Sequence, residues 1–336
     1  MLTVLCETPG RLVALDRPRP LRQAGEVLLR VRRVGVCGTD LHIFAGKQPF
    51  LSYPRVMGHE LSGIVEEADA ASGLAPGDAA YVMPYLSCGR CGACRQGKTN
   101  CCTAIQVLGV HRDGAMTEVL AVPAAFVHKA DGITLDQAAM LEFLAIGAHA
   151  VRRGAVEAGQ RVLVAGAGPI GLAAMLFAAL RGAHVVALDT RRDRLDVALA
   201  HLGVEAAVGV GEGDEAELAR LSGGEFFDVV FDATGNPAAM ERGFRFIAHG
   251  GRYVLVSIVQ GTIAFSDPEF HKREATLLGS RNATMEDFET VLAAMRAGRV
   301  PDAALATHRL RLADVPRDFA RLLDPAEGVI KAIVEC

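Results

Sequence analysis

A chain of 336 residues with 51% hydrophobic residues, 22% charged residues and 36 glycines is too long for one small core and points to two globular domains rather than disorder. The formal net charge of −4, with basic residues occurring singly or in pairs, offers no footprint for nucleic acid or an anionic membrane. The expected partner is a small molecule.

The opening residues MLTVLCETPGRLVALDRPRP alternate apolar and polar like a strand. They lack the charged start and apolar run of a secretory signal, so a cytoplasmic protein is expected. Up to about residue 130 the runs EVLLRVRRVGV, SGIVEEA, AAYVMPY and TEVLAVPAAFVHK are short, rich in β-branched residues and separated by turns, which predicts a mostly antiparallel, barrel-like domain. TLDQAAMLEFLAIGAHAVRR then has helical spacing, with Thr134 placed to cap it. From residue 161 strands and helices alternate: RVLVAGAG, PIGLAAMLFAALRG, AHVVALDT, RRDRLDVALAHLG, FDVVFDAT and GRYVLVSIV. Such alternation implies a doubly wound parallel sheet, an α/β architecture. MEDFETVLAAMRAGR reads as a further helix, and GVIKAIVE as a strand able to return to the first domain. The uncharged stretch from Val162 to Leu180 imitates a membrane span, but it holds a proline and three glycines in a pattern with another explanation.

That pattern is VLVAGAGPIGLAAM, where Gly166, Gly168 and Gly171 stand in GxGxxG register, with Pro169 and Ile170 opening the helix. The glycines serve a tight turn, a close backbone approach to a pyrophosphate and close helix packing, and the helix N-terminus faces the phosphates. The next strand ends in Asp189, about 20 residues on, where a carboxylate binds the adenosine ribose hydroxyls and repels a 2′-phosphate. NAD is therefore expected over NADP, although Arg191, Arg192 and Arg194 follow closely.

SCGRCGACRQGKTNCC holds five of the eight cysteines. Cys88, Cys91 and Cys94 form CxxCxxC, and four thiolates on a short loop suit a closed, tetrahedral structural zinc. A redox pair needs only two cysteines, and ferredoxin-type clusters carry other spacings. On spacing alone either Cys101 or Cys102 completes the set, while Cys6 and Cys336 read as ordinary residues. GVCGTDLH, with Cys37, Thr39, Asp40 and His42, and YPRVMGHELSGIV, with His59 and Glu60, supply cysteine, histidine and carboxylate for a zinc that keeps one position open.

Together, GVCGTDLH, MGHE, CGRCGACRQGKTNCC, AGAGPIGL, FDATGN and GSRNAT, in this order, resemble the zinc-dependent medium-chain dehydrogenases, the alcohol, sorbitol and threonine dehydrogenase family, over essentially the whole chain. The resemblance implies a Rossmann domain over 146–284 and a mostly β, GroES-like catalytic domain over 1–145 and 285–336, with the zinc lobe at 86–103. It implies two zincs per chain. The catalytic one lies on Cys37, His59 and Glu60, with Glu142 a ligand or a partner of the metal's water; family members usually have proline after that glutamate, where this chain has Phe143. The structural one lies on Cys88, Cys91, Cys94 and Cys102, the last chosen by the family's GxxNxC pattern. The resemblance further implies a hydroxyl relay on Thr39 with His42 as outer proton acceptor, and cofactor contacts at Asp189, Arg194 and Thr234. A homodimer or homotetramer is expected.

YPRVMGHE, GVHRDGA and FSDPEFHKREATLLGSRNATMEDF resemble bacterial sugar-acid dehydrogenases that oxidise the C5 hydroxyl of L-galactonate or a similar hexonate. Arg281 and Asn282, with His111 and Arg112 as second choices, are the candidate partners of the substrate's carboxylate and hydroxyls. A neutral polyol of the sorbitol type and L-threonine are the other substrates considered. A non-catalytic NAD-binding sensor is the reading from another class, and the open zinc set argues against it.

Overall fold

The computed structural model describes residues 1–48 and 51–336, in which two units emerge: Met1–Glu142 joined by Leu292–Cys336, and Phe143–Val291. In the first unit the EVLLRVRRVGV run forms the long strand Glu26–Val36, which pairs antiparallel with Glu60–Glu67, Val119–Pro123 and Lys331–Glu335. Val27, Leu29, Val31 and Val34 are buried, and with Ile43, Met57 and Phe319 they belong to one apolar cluster. The sheet runs in the order Ala306–Arg311, Lys331–Glu335, Glu26–Val36, Glu60–Glu67, Ala79–Val82, Val127–Lys129, and only the first of these pairs is parallel. The GVIKAIVE run thus returns to this unit, and the strand it forms lies beside Glu26–Val36. The N-terminal alternation forms the hairpin Leu2–Thr8 and Arg11–Asp16.

In the second unit six parallel strands lie in the order Ala206–Gly209, His184–Asp189, Arg161–Ala165, Phe227–Asp232, Ile247–Leu255, Thr276–Gly279. Numbered along the chain, that is 3-2-1-4-5-6, the doubly wound dinucleotide-binding order whose switch point lies at the carboxyl ends of strands 1 and 4. Val162, Leu163 and Val164 are all fully buried, as expected of a strand covered on both faces. The uncharged 162–180 stretch is therefore a strand, a turn and the helix Pro169–Leu180, and no helix of the described residues is long and apolar enough to cross a membrane.

One sequence expectation needs correction, and two strands add to it. The single helix expected over 134–153 is two helices, Leu135–Ala139 and Leu141–Arg153, with Met140 between them. Thr134 does cap the first, in a reciprocal box with Gln137. Residues 138–145 are all buried, more than one face of a continuous helix can present to a core, and the break redistributes them. The flanking strands Ala206–Gly209 and Thr276–Gly279 were not anticipated, because four-residue strands with little burial carry no usable alternation.

The helix Met285–Arg296 is preceded by Thr284, whose backbone N–H and hydroxyl both donate to Asp287 at 2.8 and 2.9 Å. The same carboxylate meets His149 Nδ1 at 2.8 Å and accepts from Arg152 at 2.8 and 3.0 Å. Burial alone would raise the Asp287 pKa, but the hydrogen bonds from His149 and Arg152 outweigh it and hold the group well below the usual carboxylate range. A depressed folded-state pKa stabilises above the unfolded value and loses that contribution as pH falls. Asp287→Asn is expected to lower stability by about 3 kcal/mol at pH 7. In denaturant melts the deficit should begin to narrow below about pH 4, where the unfolded carboxyl protonates; a deficit independent of pH would contradict this.

Candidate functional site

Cys37 follows strand Glu26–Val36 and caps the short helix Gly38–Phe44. Its N–H donates to Asp40 Oδ2 at 2.9 Å, while Asp40 Oδ1 accepts from Gly58 N–H at 3.1 Å. One buried carboxylate therefore ties the Cys37 turn to the segment that delivers His59 and Glu60. The Cys37 sulfur, a ring nitrogen of His59 and a carboxylate oxygen of Glu60 lie within 4.8 Å of one another. Bonds of about 2.0–2.3 Å to a tetrahedral zinc place donor atoms about 3.3–3.8 Å apart, so a small closure suffices.

Charge points the same way. Asp40, Glu60 and Glu142 are all buried around the Cys37 thiol, and Lys331 is the buried lysine facing them. Burial raises the pKa of Asp40 and of Glu142. Burial would lower that of His59, but the neighbouring Cys37, Asp40 and Glu142 charges carry it well above its ordinary value. His59 Nδ1 is buried without a hydrogen-bond partner and stands 3.9 Å from Asp40 Oδ1. A pocket of sulfur, imidazole and carboxylate with surplus negative charge fits a divalent cation.

Glu142 lies in the first turn of Leu141–Arg153, outside the 4.8 Å group. Its Oε1 accepts a short hydrogen bond from the Tyr85 hydroxyl, and its Oε2 is buried with no hydrogen-bond partner. Phe143, where the family usually has proline, is fully buried. Thr39 is half-buried in the first turn of Gly38–Phe44 and His42 is exposed three residues on, on the same side of the helix.

The sulfurs of Cys88, Cys91, Cys94 and Cys102 also lie within 4.8 Å of one another, and Cys101 is exposed outside the group. Backbone N–H groups of Cys88 and Ala104 point at the Cys102 sulfur at 3.3 and 3.4 Å. Backbone N–H groups of Cys94 and Thr103 pull the Cys91 thiol down to about 5, whereas burial pushes Cys94 up to about 11. All eight cysteines are free.

In the second unit the glycine turn sits at the switch point. Gly166 has φ +95°, and a Cβ there would lie 2.7 Å from the Ala233 carbonyl. A Cβ at Gly171 would lie 1.7 Å from Gly166 O, so only glycine lets the helix start this close to the turn. Gly168 caps Pro169–Leu180, with Ile170 in its first turn, and beyond it the space is open except toward Arg194. Asp189 ends its strand and accepts from the N–H groups of Ala167 and Arg191. Arg191 and Arg192 are engaged by Asp193 and Asp196. Thr234 and Ser257 donate to the fully buried Asp232 at 3.0 and 2.9 Å, fixing the facing loop. Asn282, at φ +52° after the edge strand, has a buried side-chain nitrogen without a hydrogen-bond partner, and Arg281 beside it is exposed. His111 and Arg55 line a surface cavity of about 420 Å³ in the first unit.

Sequence reasoning missed Tyr85, Asp232, Ser257, Lys331 and the need for glycine at position 35, where a Cβ would lie 2.2 Å from Glu60 Oε2. Asp232 and Gly35 lie within FDATGN and GVCGTDLH, whereas Tyr85, Ser257 and Lys331 resemble ordinary strand or loop residues.

A GroES-like barrel with a Cys–His–Glu centre, paired with a doubly wound dinucleotide fold, defines a zinc-dependent dehydrogenase. Residues 23–132 match the alcohol dehydrogenase GroES-like domain, and residues 169–297 match the zinc-binding dehydrogenase family. The chain is 43% identical to the L-galactonate-5-dehydrogenase of Escherichia coli K12, over 99% of this chain and 98% of that one. It is 32% identical to a 2-dehydro-3-deoxy-L-galactonate 5-dehydrogenase of Pseudoalteromonas atlantica, over 94% and 92%. An alcohol dehydrogenase of E. coli CFT073 solved with NADH superposes with a TM-score of 0.92 at 29% identity, over 100% and 99% of the two chains. A zinc-binding dehydrogenase of Sinorhizobium meliloti bound to NADP gives 0.92 at 27%, with the same coverage. The chain belongs to the zinc-binding alcohol dehydrogenase family and is a zinc-dependent alcohol or polyol dehydrogenase that uses a nicotinamide cofactor.

Three substitutions test the sites. Cys102→Ser is expected to lose one zinc per chain and to lower the melting temperature, whereas Cys101→Ser changes neither; metal analysis and melting curves read this. Gly171→Ala should weaken NADH binding about tenfold, the order expected when a helix N-terminus moves off a phosphate, as followed by NADH fluorescence; wild-type affinity would overturn the assignment.

Proposed function

We propose that this dehydrogenase oxidises the C5 hydroxyl of an L-galactonate-like hexonate to the ketone, with NAD as acceptor. The observation that carries the substrate is the 43% identity, over 99% of the chain, to an enzyme named L-galactonate-5-dehydrogenase. A second relative named for a 5-dehydrogenation of a galactonate derivative supports it. The choice of NAD rests on Asp189, whose charge opposes a 2′-phosphate, and on the engagement of Arg191 and Arg192 by their own aspartates.

Cys37, His59 and Glu60 would hold the catalytic zinc, and Cys88, Cys91, Cys94 and Cys102 the structural one. Held there, the ion would supply Lewis acidity toward the substrate hydroxyl, and the nicotinamide would supply the hydride acceptor. The rest falls to the chain. Thr39 Oγ1 accepts the hydroxyl proton and hands its own outward, and His42, one helical turn on and exposed, receives it and delivers it to solvent. Glu142, steadied by Tyr85, offers its unpaired oxygen as a hydrogen-bond acceptor or further ligand. Gly166, Gly168 and Gly171 admit the pyrophosphate to backbone N–H groups, with Pro169 and Ile170 starting the helix beneath it. Asp189 and Arg194 take the adenosine ribose, and Thr234 lines the opposite loop. Arg281 and Asn282 receive the substrate's carboxylate and neighbouring hydroxyls. The assembly proposed is a homodimer or homotetramer.

A neutral polyol is the second reading, favoured by 30% identity over 91% of the chain to a sorbitol dehydrogenase of Halalkalibacterium halodurans. Comparing kcat/KM for L-galactonate, L-gulonate, L-idonate and sorbitol with NAD and with NADP tests both. L-galactonate with NAD should lead, and Arg281→Ala should raise KM for the acid about tenfold or more, the loss of one charge-assisted contact, while leaving sorbitol unaffected. Equal rates on acids and sorbitol, or a preference for NADP, would overturn the assignment. His42→Ala should lower turnover and be partly rescued by small buffer bases; a rate insensitive to both would remove it from the relay.

A further inference from the structure

Beside the Cys37, His59 and Glu60 group stands a side chain that no part of the reaction above uses. Lys331 Nζ donates to Glu60 Oε1 at 2.7 Å, to Glu60 Oε2 at 2.6 Å and to the Val36 carbonyl at 3.1 Å. A lysine ammonium has three donors, and here all three are engaged. Lys331 is 1% exposed and Glu60 0%. The contact is built by three neighbouring strands of one sheet: Ala332 pairs with Val36, and Gly35 pairs with Glu60. Glycine at position 35 is part of the construction, since a Cβ there would lie 2.2 Å from Glu60 Oε2. The carboxylate lies where any side chain would displace it.

We propose that Lys331 is a positioning residue that sets how strongly Glu60 holds the catalytic metal. This rests on the metal-centre reading above. A carboxylate has about four lone-pair directions, and Lys331 takes one on each oxygen. Glu60 can therefore bridge ammonium and metal, but the donation it offers the metal is shared. The buried positive charge next to the ion opposes a tight hold further. Glu60 becomes a weak ligand beside the stronger Cys37 and His59, and the centre keeps a position that an incoming hydroxyl can take. Gly35 and the Val36 carbonyl hold the ammonium and carboxylate in register.

The test uses the holoenzyme and reads metal as well as turnover. Zinc per chain is measured for wild type and Lys331→Met, and then the rate at which each zinc passes to a chromophoric chelator. In Lys331→Met the zinc outside the four-cysteine lobe should leave about tenfold more slowly or slower still, the scale on which partners of metal ligands act, while the four-cysteine zinc leaves at the wild-type rate. kcat should fall by a similar factor, with KM for NAD unchanged. In a Glu60→Gln background, where no carboxylate is shared, Lys331→Met should leave the release rate unchanged. Lys331→Gln, which keeps a donor but removes the charge, carries the same expectation should the methionine variant not fold. Release at the wild-type rate or faster from the folded variants would overturn the inference and leave the metal-centre reading standing. Wild-type protein holding zinc only in its four-cysteine lobe would overturn both.

Discussion

Carboxylates buried side by side, next to a half-buried thiol, are tolerable only where opposite charge or directed hydrogen bonds reach them. In the first unit Asp40, Glu60, Glu142 and Cys37 share one small volume, and much of the surrounding architecture answers their demand. Asp40 is satisfied by backbone N–H groups at Cys37 and Gly58, and so locks two loops together. Glu142 is met by the Tyr85 hydroxyl. Glu60 is met by an ammonium that arrives only because the Lys331–Glu335 strand inserts beside Glu26–Val36. Topology and electrostatics are one requirement here, since a sheet lacking that strand would bury Glu60 without a counter-charge.

The second unit meets a different constraint with different means. A dinucleotide's pyrophosphate is bound by backbone groups, and backbone is accessible only where side chains are missing. Gly168 would provide that at the switch point, where the space beside it is open, while Gly166 and Gly171 let the turn and the helix pack against Ala233 and the Gly166 carbonyl. The facing loop is held by Asp232 through Thr234 and Ser257, so the turn has a fixed opposite wall.

What could be read from the sequence follows the range of the interactions. The glycine turn and the four-cysteine lobe are local, each within about twenty residues, and spacing alone announced their chemistry. His59 and Glu60 are adjacent but Cys37 lies apart from them, so residue type proposed the set and the family resemblance gave it a defined ligand role. Lys331 stands 271 residues from Glu60, inside an apolar run that reads as an ordinary strand, and no spacing rule links them. Tyr85, 57 residues from Glu142, was hidden in the same way. The alternating strands and long helices were plain from periodicity, whereas the short sheet-flanking strands and the break at Met140 depend on tertiary packing that periodicity does not record.

The sheet position of Lys331 also bears on the order of events during synthesis. The ribosome completes the Cys37 loop, the His59 and Glu60 segment and the cysteine lobe well before it reaches Lys331, 271 residues after Glu60. At translation rates of about 5–20 residues per second the interval is roughly 14–54 s. On the role proposed for Lys331, a nascent chain would offer zinc an unshared carboxylate until the Lys331–Glu335 strand inserts beside Glu26–Val36 and brings Glu60 its ammonium.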